Sequence, residues 1–192
     1  MARLILIRHG ESVANAGRRF THGPHEPLSR RGREEALERA HELAKRFDPV
    51  VLYASPFVRA LETARLVGSV LGLEPTIVEA LREQDFGALK GQPYDVLRAD
   101  PTWHGDRWRY RPPEGETLEE VFHRVGPALD AIAERHLGEQ VVVVSHGGVM
   151  AALHAWISLQ RVEGEPTISA NCAGWIVERR AAAYHGPFPL DE

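Results

Sequence analysis

Two histidine-glycine pairs are the residues in this chain whose type and setting could do chemistry. Leu4-Ile5-Leu6-Ile7 runs directly into Arg8-His9-Gly10-Glu11-Ser12, and the β-branched run 141–144 runs directly into Ser145-His146-Gly147-Gly148. An apolar run of four residues suits a strand covered on both faces, and strands of parallel sheets present functional side chains at their carboxyl ends. Gly10 lets the backbone bend or approach a ligand with no side chain in the way. An imidazole standing beside the Arg8 guanidinium suits an anion.

These groups need elements to position them. Residues 13–27 are rich in Gly, Pro, Asn and His with no sustained period and read as a loop over the strand ends. A helix opens at Leu28-Ser29, its apolar residues from Ala36 to Phe47 recurring at three and four. A short strand follows at 50–53. Ser55-Pro56 then has the form of an N-cap with proline at the first helical position, so 57–71 should be helical, with Gly72 as its C-cap. Arg59 falls in the first turn of that helix, and its side chain, leaning toward the N-terminus, can reach over the sheet's carboxyl edge.

A third strand is expected at 75–78. An irregular stretch follows, its part from about 92 to 115 reading as a lid-like insertion that carries Trp103, His104, Trp108, Tyr110 and the arginines 98, 107, 109 and 111. Thr117-Leu118-Glu119-Glu120 is a capping-box pattern ahead of a long amphipathic helix, with Pro127 expected to kink it. After the strand 141–144 come a helix from about 149 to 158, an edge strand at 175–177, and a tail at 186–189 without regular structure. Strands alternating with helices imply a three-layer α/β/α sandwich, its central sheet mainly parallel with an antiparallel edge strand.

The ordered set Arg8-His9-Gly10, Ser55-Pro56-x-x-Arg59-Ala60-x-x-Thr63-Ala64, Glu83-x-x-Phe86-Gly87, Gly115-Glu116-Thr117 and Ser145-His146-Gly147-Gly148 resembles the histidine phosphatase superfamily, also called phosphoglycerate mutase-like. The resemblance covers most of the chain. It implies that His9 attacks phosphorus and forms a phosphohistidine that water then hydrolyses. It implies that Arg8, Arg59 and His146 hold the phosphoryl oxygens as charge redistributes. Glu83 matches the family's general acid, with Asp85 a rival if the segment is irregular.

A phosphate monoester is close to a dianion, and guanidinium forks match its oxygens better than a lysine can. Gly147 and Gly148 near a helix start could add backbone N–H groups. Asn15 matches the family's amide position. Phe20, His22, Trp108 and Arg109 are candidates for the pocket rim. His22 and His25 hint at a metal pair, but neither a third ligand nor a Cys lies near, and no metal or cofactor is expected where cations already surround the phosphoryl group.

At 192 residues, 43% hydrophobic and 26% charged, the chain reads as one globular domain over 1–192. A net charge of -4 and a pI near 6.2 argue against a nucleic-acid surface. Cys172 is the only cysteine, which makes an intrachain disulfide impossible and a cytoplasmic home the default. The sequence enters a strand from Met1 with no long apolar segment, so neither a signal peptide nor a membrane span is expected. A monomer or a homodimer is compatible with all of this.

The compact covering stretch favours a phosphatase acting on small phosphate monoesters over a phosphoglycerate mutase, which needs larger covering segments to exclude water. The arginines 107, 109 and 111 keep the mutase alternative open, since they would attract a substrate carboxylate. The third alternative is a binding module that kept the pocket and lost turnover.

Overall fold

Alternation along the central strands decides the layers. In the computed structural model, which describes residues 1–191, strand β1 (Ala2–Arg8) sends Leu4 and Leu6 into one apolar cluster and Ile5 and Ile7 into another. Strand β4 (Gln140–Ser145) does the same with Val141 and Val143 against Val142 and Val144. Helices α2 (Arg30–Arg46) and α3 (Val58–Leu71) cover the Ile5 face through Ala40, Leu43, Ala60, Ala64 and Val67. Helices α4 (Leu118–Arg135) and α5 (Gly147–Ser158) cover the Leu4 face through Val121, Val125, Leu129, Met150 and Leu153. The middle of each central strand, residues 4–7 and 141–144, is therefore apolar at every position, as burial on two sides requires.

With β2 (Val51–Ala54), β3 (Pro75–Ile77), β5 (Gly174–Arg180) and β6 (Ala183–Pro189), the sheet runs β3-β2-β4-β1-β5-β6. The first four strands are parallel; β5 is antiparallel to β1, and β6 to β5. The α/β/α sandwich follows the sequence pattern. Register matters most at one place. Ile7 pairs with Val144 and Arg8 with Ser145, so the residues that leave the two strands, His9 and His146, leave side by side. The His9 N–H donates to the Ser145 carbonyl at 2.9 Å and ties the two exits together.

Four local expectations need correction. The loop 13–27 contains a one-turn helix, α1 (Val13–Ala16), closed by a capping box between Ser12 and Asn15; four residues are too few to show a period. Helix α3 starts at Val58 with no side-chain cap, because Phe57, not Ser55, occupies the N-cap position; the Ser55 hydroxyl accepts from the Phe57 N–H at 3.2 Å, just ahead of the helix. The tail 186–189 belongs to β6 despite its prolines, which an outer strand tolerates because its outward N–H groups have no ladder partner. The edge is consequently β6, and the strand around Trp175 is flanked on both sides. Helix α4 runs on through Pro127, which lacks the N–H that would meet the His123 carbonyl.

The stretch 92–115 forms short 3₁₀ helices at Tyr94–Ala99 and Pro101–His104. Leu97 and Tyr110 pack with Phe20, and Phe86, Leu89 and Trp103 pack against these three. Among the described residues no helix is long and apolar enough to cross a membrane.

Candidate active site

A cavity of about 390 Å³ opens at the carboxyl ends of β1 and β4, lined at its floor by Arg8, His9, Arg59, Glu83, Gly147 and Gly148. His9 is 2% exposed, and its Nδ1 lies 2.6 Å from the Gly10 carbonyl. A carbonyl only accepts, so Nδ1 carries the proton and the neutral ring keeps its lone pair on Nε2. Arg59 donates its Nε–H to that Nε2 at 3.1 Å. Burial, then the charges of Arg59 and Arg8, hold the His9 pKa well below the ordinary histidine value. The unloaded imidazole is therefore a neutral base with its free nitrogen turned to a guanidinium.

The His146 ring stands edge-on to that of His9, with centroids 5.2 Å apart. Its Nε2 meets the Ser55 hydroxyl at 2.7 Å, and its Nδ1 is buried without a partner. His146 is fully buried and is not one of the residues lining the cavity; it lies behind them. Burial first, then Arg59, His9, Arg8 and Arg124, push its pKa well down.

Both guanidiniums at the floor are withdrawn from water, which lowers their pKa values, while the Glu83 charge works the other way. Arg59 Nη1 donates to Thr21 Oγ1 and the Gly23 carbonyl, both at 3.3 Å. Arg8 Nη1 bonds the Ser169 carbonyl, and its Nε is buried without a partner. Helix α5 begins at Gly147 with no side-chain cap, so its first N–H groups and the positive end of its dipole face the cavity floor.

Glu83 is 6% exposed, with Oε1 accepting from Gln84 N at 3.0 Å and Oε2 near Gly148 N at 3.5 Å. A Cβ at position 148 would lie 2.7 Å from Glu83 Oε1, so the glycine is what lets the carboxylate reach the helix start. Asp85 lies outside this cavity, in an ion pair with Lys90 at 2.6 Å. The segment is pinned by Glu116, whose carboxylate accepts from Arg82 Nη1 at 3.1 Å, Arg124 Nη2 at 2.9 Å and Asp85 N at 3.3 Å. Arg124 Nη1 in turn donates to the Ala80 and Arg82 carbonyls.

Asn15 and Phe20 line the cavity, Asn15 holding Tyr94 Oη through Nδ2 at 3.1 Å. Three rim candidates lie elsewhere. Trp108 is buried in the core under α4, its Nε1 donating to the Gly164 carbonyl at 2.9 Å. Arg109 is exposed and paired with Asp106 and Glu119. His22 is exposed, its ring lying over Gly91, and His25 is exposed as well. Thr21 and Asn171, which donates to the His9 carbonyl at 3.1 Å, were not legible as site residues, and Ser55 reads in the sequence as a helix cap and not as a partner of His146. Single hydroxyls and amides in loops carry no spacing signal.

Residues 4–183 match the family profile described as histidine phosphatase superfamily (branch 1). Among curated proteins the chain is 32% identical over 88% of its length, and 78% of the relative's, to "Phosphoglycerate mutase-like protein 4" of Arabidopsis thaliana. It is 30% identical to the "Metal-independent phosphoserine phosphatase" of the same plant, over 82% of this chain and 69% of that one. Among solved structures it resembles a mycobacterial glucosyl-3-phosphoglycerate phosphatase in complex with VO3, with a TM-score of 0.85, 28% identity, and coverage of 95% of this chain and 96% of that one.

Proposed function

Because the chain belongs to branch 1 of the histidine phosphatase superfamily, we propose that it is a phosphomonoesterase that hydrolyses small-molecule phosphate esters through a phosphohistidine on His9. One observation carries the reading. The unprotonated Nε2 of His9 points at Arg59 in a cavity where Arg8 and an uncapped helix start also converge. That is a nucleophile set among donors for a tetrahedral dianion.

In the first step the phosphoryl group enters between Arg8 and Arg59, taking over the Arg59 Nε–H that His9 now accepts. The lone pair of His9 Nε2 forms the N–P bond as the ester P–O bond breaks, and the departing alkoxide takes its proton from Glu83. In the second step water attacks phosphorus, gives its proton to Glu83, and the N–P bond breaks. His146, edge-on to His9 and held by Ser55 behind the cavity floor, buttresses the nucleophilic ring. The arginines neutralise the charge that spreads onto the equatorial oxygens in a loose transition state.

Phosphatase rather than mutase chemistry is favoured by the state of two of the three covering arginines, Arg107 being the one that lines the cavity. Arg109 and Arg111 are ion-paired with Asp106, Glu119 and Glu120 on the outside, which leaves them poorly placed for the carboxylate of a phosphoglycerate. The relative named as mutase-like keeps the exchange reaction as a second reading. A small-molecule substrate, no nucleic-acid partner, a cytoplasmic location and a monomer or homodimer complete the proposal, resting on the acidic balance and the single Cys172.

The test is hydrolysis of p-nitrophenyl phosphate with EDTA present, alongside 3-phosphoglycerate with a trace of 2,3-bisphosphoglycerate. Nitrophenol release that His9→Ala abolishes supports the phosphatase. Isomer exchange outpacing hydrolysis favours the mutase, and silence in both assays leaves a binding module.

A further inference from the structure

Beyond the phosphate end, the cavity is walled by Phe20, Phe86, Leu89, Leu97, Trp103 and Tyr110. The rings brace one another: Phe20 and Phe86 are 4.9 Å apart between centroids, and Trp103 and Tyr110 are 5.1 Å apart, edge to face. Their polar neighbours are turned to other partners. Tyr110 Oη donates to Asp100 at 2.9 Å, Tyr94 Oη accepts from Asn15, and Gln84 Nε2 donates to the Glu116 carbonyl at 2.6 Å. What faces the space between these residues is mainly carbon and ring surface.

Charge is equally constrained. Glu83 is the acidic residue of the lining, and Arg8 and Arg59 belong to the phosphate end. The remaining cation, Arg107, lies 4.4 Å over the Trp103 ring with Nη1 on Glu165 at 2.9 Å. A leaving group carrying its own carboxylate or second phosphate finds there only this part-paired cation, whose Nε is buried without a partner, and loses hydration against the aromatic wall. An apolar leaving group loses nothing there and gains from every carbon buried.

Resting on the phosphatase reading, we propose that this site selects monoesters of apolar or aromatic alcohols and discriminates against those whose alcohol part is anionic. Binding energy from the wall is then spent on holding the ester oxygen against Glu83 and the phosphorus against His9.

Primary alkyl phosphates from ethyl to hexyl test this, because their leaving groups differ little in basicity and any trend reads burial. The expected result is a rise in kcat/KM of roughly threefold per methylene. 3-Phosphoglycerate should fall at least about tenfold below hexyl phosphate, since an unpaired charge against apolar walls is costly. Leu97→Asn should flatten the series, lowering the hexyl-to-ethyl ratio several-fold. A flat series in the unaltered protein, or a preference for 3-phosphoglycerate, overturns the selectivity while p-nitrophenyl phosphate hydrolysis keeps the phosphatase. Failure to hydrolyse p-nitrophenyl phosphate overturns the phosphatase reading and the selectivity with it.

Discussion

Arg59 donates its Nε–H to His9 Nε2 at 3.1 Å, on the very atom that has to carry the phosphoryl group. The contact aims the lone pair and keeps the ring neutral, and phosphate must take the donor over. Replacing Arg59 with Lys removes the fork but keeps a charge. kcat/KM for p-nitrophenyl phosphate should fall roughly 10²- to 10³-fold, the usual cost of losing one transition-state donor. A loss under about threefold would remove Arg59 from the site.

Vanadate can adopt the five-coordinate geometry of phosphorus during in-line attack, so it should inhibit far more tightly than inorganic phosphate. The preference should disappear in His9→Asn, where no nitrogen lone pair completes the fifth bond. Equal affinities for vanadate and phosphate in the unaltered protein would argue against nucleophilic attack.

Both imidazoles have folded-state pKa values pushed well below the ordinary value, by burial first and then by the neighbouring charges. In the unfolded chain they take up protons near pH 6.5. As pH falls below that value the unfolded state binds protons the folded state refuses, so stability present above about pH 7 is lost on acidification. The urea midpoint of the ligand-free protein should drop between pH ~7 and ~5.5, and His9→Asn should shrink that drop. A midpoint independent of pH, with no difference in the variant, would mean the folded histidines titrate normally.

Glu83 and Glu116 should separate by what they touch. Glu83→Gln should cost alkyl phosphates roughly 10²-fold or more and p-nitrophenyl phosphate much less, because nitrophenolate hardly needs a proton. Glu116 does not line the cavity; it holds Arg82, Arg124 and the Asp85 amide around the segment that carries Glu83. Glu116→Gln should therefore reproduce the same leaving-group dependence in weaker form. An equal loss on both substrates would reduce Glu116 to a structural role.

Gly10 is needed for a reason different from ligand approach. A Cβ there would lie 2.3 Å from the Gly32 carbonyl oxygen, and one on Gly32 would lie 2.0 Å from the Glu11 carbonyl oxygen. The loop bearing His9 is thus pressed, backbone to backbone, on the first turn of α2. Gly10→Ala should destabilise by about 1–3 kcal/mol, as overpacking does. That corresponds to a melting temperature lower by roughly 2–10 °C for a chain of this length.

The alternating and fully apolar runs of β1 and β4, the capping box of α4 and the periodicity of α2 were all readable from sequence, because each is a local pattern with a fixed geometric meaning. The Arg-His-Gly and Ser-His-Gly segments could likewise be placed at strand ends. What no local pattern carries is distance between remote segments. Side-by-side exit of His9 and His146 depends on the β1–β4 register, and the hydrogen bond of His146 to Ser55 joins residues 91 apart in the chain. Trp108 and Arg109 show the same divide from the other side. An aromatic beside arginines has the composition of a rim, yet the fold turned the ring into the core under α4 and paired the arginine outward with Asp106 and Glu119. Residue types determined which chemistry was available; burial and long-range pairing, which depend on what the other face of each element meets, decided which residues could take part.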